Sequence, residues 1–245
     1  MTNPPKPEPD EELATSTATQ DIDPPVWPYV VPLAGFLALT AIEGYLPTGL
    51  NGSPHRAWYP VGYSIKLVAV VALLWYCRVI FRDLTRPTLS AILLAIACGL
   101  AVTAAWVGLD GLYPMIPWLG KRTEFNPSSM SLAAKWVFVV IRMIGLVVIV
   151  PPIEELFYRS FLMRWIVDPI YTRVPIGKVT PIGLGVTTLV FAGSHPEWLP
   201  ALLTGLAWGG LVWKTRNVTA CVISHAVANL ALGIYVLATG AWKYW

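Results

Sequence analysis

The 245-residue chain is 56% hydrophobic and 13% charged, with a mean hydropathy of +0.60; these values exclude an ordinary soluble domain and identify a polytopic membrane protein. Its formal net charge of +3 is small and spread over connections, so the basic residues read as topology signals and no nucleic-acid partner is expected. Three isolated cysteines, Cys77, Cys98 and Cys221, lie in apolar runs and supply neither a disulfide framework nor a thiolate metal site.

Residues 1–25 are rich in Pro, Thr, Asp and Glu. They cannot bury enough apolar surface to offset ordering entropy and are expected to form a disordered acidic tail. They lack the basic start and short apolar core of a signal peptide, so insertion through the first membrane helix is expected. From Trp27 onward, apolar stretches recur near 27–46, 61–80, 88–109, 131–150, 153–167, 180–195, 198–213 and 218–238. Spanning a bilayer core takes about 20 residues of helix. The pattern predicts an all-α membrane bundle of seven or eight transmembrane helices with a polar site between helices. Residues 26–130 form its N-terminal helices and an interfacial connection.

The count turns on residues 131–167. Pro151-Pro152 removes two backbone donors and is expected to break the helix, leaving one kinked element or two separate ones. The segment 110–130, with Tyr113, Pro114, Met115, Pro117 and Trp118, reads as a loop rather than an interfacial lid. Tryptophans near predicted helix ends, among them Trp27, Trp58, Trp198, Trp213, Trp242 and Trp245, fit interfacial belts. Arg78, Arg82 and Arg86 between the second and third helices put that connection and the N-terminus in the cytoplasm. A single crossing by 131–167 brings Arg164, Arg173, Lys178, Lys214 and Arg216 inside as well. A double crossing places Glu154 and His195 at one membrane face, and the sequence leaves both open.

Intramembrane ionisable residues are functional-site hypotheses by default. Glu43 and Lys66 sit near helix ends and could snorkel, whereas Arg142 lies deeper and needs a carboxylate or carbonyl partner. The chemistry concentrates in three constellations. In Glu154-Glu155-Leu156-Phe157-Tyr158-Arg159, Glu155 and Arg159 share a helix face and suit an ion pair. Glu154 points roughly 100° away and is left to take a proton from water and return it. In Phe191-Ala192-Gly193-Ser194-His195, the phenyl ring and the imidazole share a face, separated by small residues. In His225-Ala226-Val227-Ala228-Asn229, imidazole and carboxamide can donate toward one point, as an oxyanion hole does; interhelical hydrogen bonding is the plainer alternative.

Glu-Glu-x-x-x-Arg, Phe-x-x-x-His and His-x-x-x-Asn in this order on successive helices resemble the CPBP (CAAX protease and bacteriocin-processing, or ABI) family of intramembrane endopeptidases. The resemblance spans about 131–245, which it implies is the catalytic core. Leu162-Met163-Arg164-Trp165 and Leu232-Gly233-Ile234-Tyr235-Val236-Leu237 are similar to the bacterial CAAX prenyl protease-related branch associated with exosortase systems. Ser160 departs from the glycine that many members carry there. The resemblance implies that Glu154, helped by His195, activates water, that His225 and Asn229 stabilise the oxyanion, and that Glu155, Arg159 and Phe191 support the site.

A zinc alternative would use Glu154, His195 and His225. The chain lacks the His-Glu-x-x-His helix that favours zinc, so a metal-independent glutamate mechanism is expected. The expected partners are the lipid bilayer and a membrane-anchored protein or peptide substrate, in C-terminal processing of envelope or lipid-modified proteins at a bacterial inner membrane. The competing readings are a non-catalytic scaffold or immunity-type binding protein, and a proton-coupled transporter, against which the lack of a detectable inverted repeat argues.

Overall fold

A computed structural model describes residues 25–44, 58–120 and 125–244. The expected tail up to residue 24, the helix end at Leu46, and Trp245 lie outside the described residues, as do residues 121–124 of the 110–130 connection. Seven helices run through the described part: α1 (Trp27–Gly44), α2 (Trp58–Tyr76), α3 (Leu89–Gly108), α4 (Leu132–Trp165), α5 (Pro181–Gly193), α6 (Trp198–Thr215) and α7 (Val218–Thr239). The described residues contain no strand. Helices α2, α3, α4 and α7 are long and apolar enough to cross a membrane, and α1 and α5 are shorter apolar helices. The protein is an all-α polytopic integral membrane protein.

Side-chain capping explains four of the seven helix starts. Thr88, Ser131, Thr180 and Asn217 each accept a hydrogen bond from the backbone N–H three residues on, satisfying a donor orphaned at the helix start. Asn217 also donates from Nδ2 to the carbonyl and hydroxyl of Thr85 at 3.2 and 2.9 Å, tying the start of α7 to the start of α3. Those two helices then pack along much of their length. A Cβ at Gly99 would run into the Ser224 carbonyl oxygen, so the missing side chain lets the backbones approach. The exterior is apolar: Val68, Leu89 and Ile182 are each 71–72% exposed, as a lipid-facing surface requires.

The expected break at Pro151-Pro152 does not occur. Helix α4 is continuous for 34 residues, the single element of the two alternatives the sequence left open. It absorbs the prolines by widening into a π-helical turn, Gly145–Ile149, directly before them, with Val150 N–H bonded to the Gly145 carbonyl. The wide turn moves the proline ring away from the preceding carbonyl, and a neighbouring helix satisfies a group the proline orphans. A second π-helical stretch, Leu156–Leu162, follows Glu155. The connection 110–120 is a loop with a short 3₁₀ turn, Pro117–Leu119. Cys77 and Cys221 are buried, Cys98 is half-buried, and all three are free thiols.

Candidate functional site

Helices α4, α5 and α7 bring the three constellations to one cavity of ≈670 Å³, lined in part by Glu154, Tyr158, Phe191, His195, His225 and Asn229. Glu155 points the other way along α4 and is fully buried. Its Oε1 accepts from Arg159 NH1 at 3.2 Å and faces His225 Nδ1 at 2.9 Å. One carboxylate therefore ties the arginine of its own helix to the imidazole of α7. The guanidinium lies 4.8 Å from the Phe191 ring centroid and 5.1 Å from that of Trp208, a cation–π setting that offsets part of its desolvation. Trp208 also stacks on His225 at 4.4 Å, fixing the plane of the imidazole.

Glu154 differs from its neighbour. The Oε2 atoms of both are buried without a partner, but Glu155 makes two hydrogen bonds through Oε1, whereas Glu154, 7% exposed, makes none among the described residues. A carboxylate left so in an apolar setting is costly unless water or substrate reaches it, and its position on the cavity wall gives that access. The two adjacent glutamates are thus sorted by direction: Glu155 is consumed by structure, while Glu154 faces the cavity.

The tautomers of both histidines follow from their partners. His195 Nδ1 lies 2.8 Å from the Phe191 carbonyl, which only accepts, so Nδ1 carries the proton and Nε2 is the acceptor nitrogen. The ring also stacks on Phe191 at 4.6 Å. His225 Nδ1 faces the Glu155 carboxylate, also acceptor-only, so in neutral His225 the Nε2 has no proton to donate. The oxyanion role read for neutral His225 therefore needs revision: only the doubly protonated ring can give a hydrogen bond from Nε2, with Glu155 as its counter-charge.

Asn229 is also engaged. Its Nδ2 donates to the Leu146 carbonyl at 2.7 Å. In the π register that joins Val150 to Gly145, Leu146 would bond to residue 151, a proline without an N–H. The carboxamide of α7 thus replaces the donor that Pro151 lacks and leaves one amide hydrogen for other use. Among the described residues no group of three His, Cys, Asp or Glu side chains is placed to hold a metal ion.

Sequence reasoning missed several wall residues. Tyr158 OH meets Ser194 Oγ at 3.4 Å beside His195. Trp106 Nε1 donates to Thr204 and its ring stands edge-on to His195 at 5.9 Å. Trp208 lies well inside its helix, which was the available signal that it is not a belt residue; Trp106, two residues from the end of α3, gave no such signal. Nearer the mouth, Lys66 pairs with Glu43 at 2.5 Å instead of snorkelling. Arg142, expected to need a carboxylate or carbonyl, donates to the Tyr59 hydroxyl at 2.6 Å and lies over the rings of Tyr59 and Tyr63. Ser160 joins Tyr29 and Arg164 around the Asp83 carboxylate, at 2.6 Å from Tyr29 and 3.0 Å from Arg164.

Residues 136–231 match the family model described as type II CAAX prenyl endopeptidase Rce1-like. The match covers under half of the chain, and it contains Glu154, Glu155, Arg159, Phe191, His195, His225 and Asn229. No curated protein and no solved structure matches the chain.

Proposed function

From a chain whose segment 136–231 belongs to the Rce1-like CAAX-protease family, we propose an intramembrane endopeptidase in which Glu154 activates a water to hydrolyse a peptide bond of a membrane-anchored protein. The observation that carries the reading is the contrast between the two glutamates. Glu155 is tied to Arg159 and His225 through Oε1, while Glu154, on the wall of a cavity that also holds His195 and Asn229, makes no hydrogen bond among the described residues.

In the proposed step, Glu154 takes one proton of the attacking water, and the acceptor Nε2 of His195 orients the water by its other hydrogen. The oxygen adds to the scissile carbonyl. The negative charge on the resulting oxyanion is met by the remaining Asn229 amide hydrogen, beside the His225 ring that Glu155 holds in place. Glu154 then returns its proton to the leaving amine, the C–N bond breaks, and the carboxylic acid so formed gives its remaining proton to the amine, so that a carboxylate and an ammonium leave. The chain itself supplies every group in this step, and no metal is assigned to it. The substrate's anchoring is consistent with an apolar gap between α1 and the α4–α5 pair, where Leu37, Phe157 and Val190 approach Tyr158 and Ser194 from the lipid side. A role in processing bacterial envelope proteins is part of the same proposal.

A packing role for His225 and Asn229 accounts for their bonds to Glu155 and Leu146, but not for a buried carboxylate held without a partner. Glu154→Gln keeps the side chain's shape and removes its basicity. In purified protein it should abolish cleavage of membrane-tethered peptides with unfolding stability retained. Wild-type cleavage by that variant would refute the proposal.

A further inference from the structure

The continuous α4 gives the bundle a definite sidedness. With α4 crossing once, the α2–α3 connection (Arg78, Arg82, Arg86), the α4–α5 connection with the end of α4 (Arg164, Arg173, Lys178) and the α6–α7 connection (Lys214, Arg216) fall on one face. On the opposite face the described residues have Lys135 near the start of α4, no Lys or Arg between α5 and α6, and Lys243 after α7. The positive-inside bias thus places the first face in the cytoplasm.

The cavity points away from that face. Its walls come from the second half of α1, the first part of α2, the second half of α3, the middle of α4, α6 and α7, and the end of α5 remote from the basic connections, out to Glu43, Tyr59 and Tyr244. None of the eight basic residues just named for the cytoplasmic face lines it. At ~1.5 Å rise per residue, His225 is roughly 10 Å from the α7 start and Glu154 roughly 16 Å from the α4 end, so the reacting groups lie at membrane depth. Beneath them the bundle is closed. Tyr29, Phe161 and Tyr171 pack ring to ring at 5.3–5.6 Å, and Asp83 with Arg164 at 3.0 Å bolts the Arg78–Asp83 turn to α4.

We propose that the cavity opens to the extracytoplasmic side, so that its substrate is a membrane-anchored polypeptide whose scissile bond is presented from that side, and not a lipidated C-terminus in the cytoplasm. The substrate clause rests on the endopeptidase reading; the sidedness does not. Three single-cysteine additions test it in spheroplasts expressing the full chain, with wild type as the blank: Thr40→Cys on the cavity wall, Met115→Cys on the α3–α4 connection and Val79→Cys on the Arg78–Asp83 turn. Met115 and Val79 are 52% and 51% exposed, so their intrinsic accessibility is matched.

A membrane-impermeant maleimide should label Thr40→Cys and Met115→Cys before permeabilisation, and Val79→Cys at least tenfold more after it than before. Any other order, such as early labelling of Val79→Cys or labelling of Thr40→Cys only after permeabilisation, overturns the proposal. Inactivity of the wild type toward every peptide would refute the endopeptidase reading and leave the labelling result standing.

Discussion

The bond between Asn229 and Leu146 makes a prediction that separates stability from catalysis. Asn229→Ala leaves the Leu146 carbonyl in a part-buried turn with no donor, because residue 151 is proline and cannot take over. An orphaned buried acceptor costs about 1–3 kcal/mol, so the variant should lose that much in detergent-titration unfolding. Pro151→Ala restores a backbone N–H within reach of the same turn. The double variant should therefore recover most of the loss, with a coupling energy of about 1–2 kcal/mol in the mutant cycle. Cleavage should behave differently. If the second amide hydrogen of Asn229 meets the oxyanion, both Asn229→Ala and the double variant should turn over about 10² to 10³ more slowly. Strict additivity of the two stability effects would refute the account of why Asn229 is where it is. Recovery of activity along with stability would refute its role at the oxyanion.

Glu155→Gln strips the charge shared by Arg159 and His225 and should destabilise the protein by about 3–5 kcal/mol, as breaking a buried ion pair does; an unfolding titration that matches wild type would contradict this. Gly145→Ala should cost about 1–3 kcal/mol by overpacking, since its Cβ would meet the Tyr63 hydroxyl. Tyr63→Phe in the same chain should return part of that loss, and a lack of any rescue would show that the clash lies elsewhere. Outside the membrane, the hydrogen bond from Lys243 holds the Asp110 carboxyl below its usual value. Its folded pKa is lower than its unfolded one, so the contribution to stability is present above about pH 4 and fades as pH falls through the depressed value. Lys243→Met should flatten that acid-side part of the stability profile; an unchanged profile would dismiss the pair.

Composition and motif spacing were enough for the membrane class, the helical bundle and the residues gathered at the cavity, because each is a local property of the chain. Apolar length specifies a span, and four-residue spacing puts Glu155 with Arg159, Phe191 with His195, and His225 with Asn229 on common faces. Three matters were decided only in three dimensions. The Pro151-Pro152 pair reads locally as a break, yet α4 continues through it because Asn229, on a helix 83 residues away in sequence, supplies the donor to Leu146. The partner of His225 is Glu155 rather than Glu154, which follows from the rotation of α4 against α7 and reverses the proton inventory of the imidazole. The direction in which the cavity opens depends on whether α4 crosses once. That in turn rests on a π-helical turn whose orphaned carbonyl is satisfied by a neighbouring helix, and a local pattern of apolar residues cannot encode the groups that another helix brings.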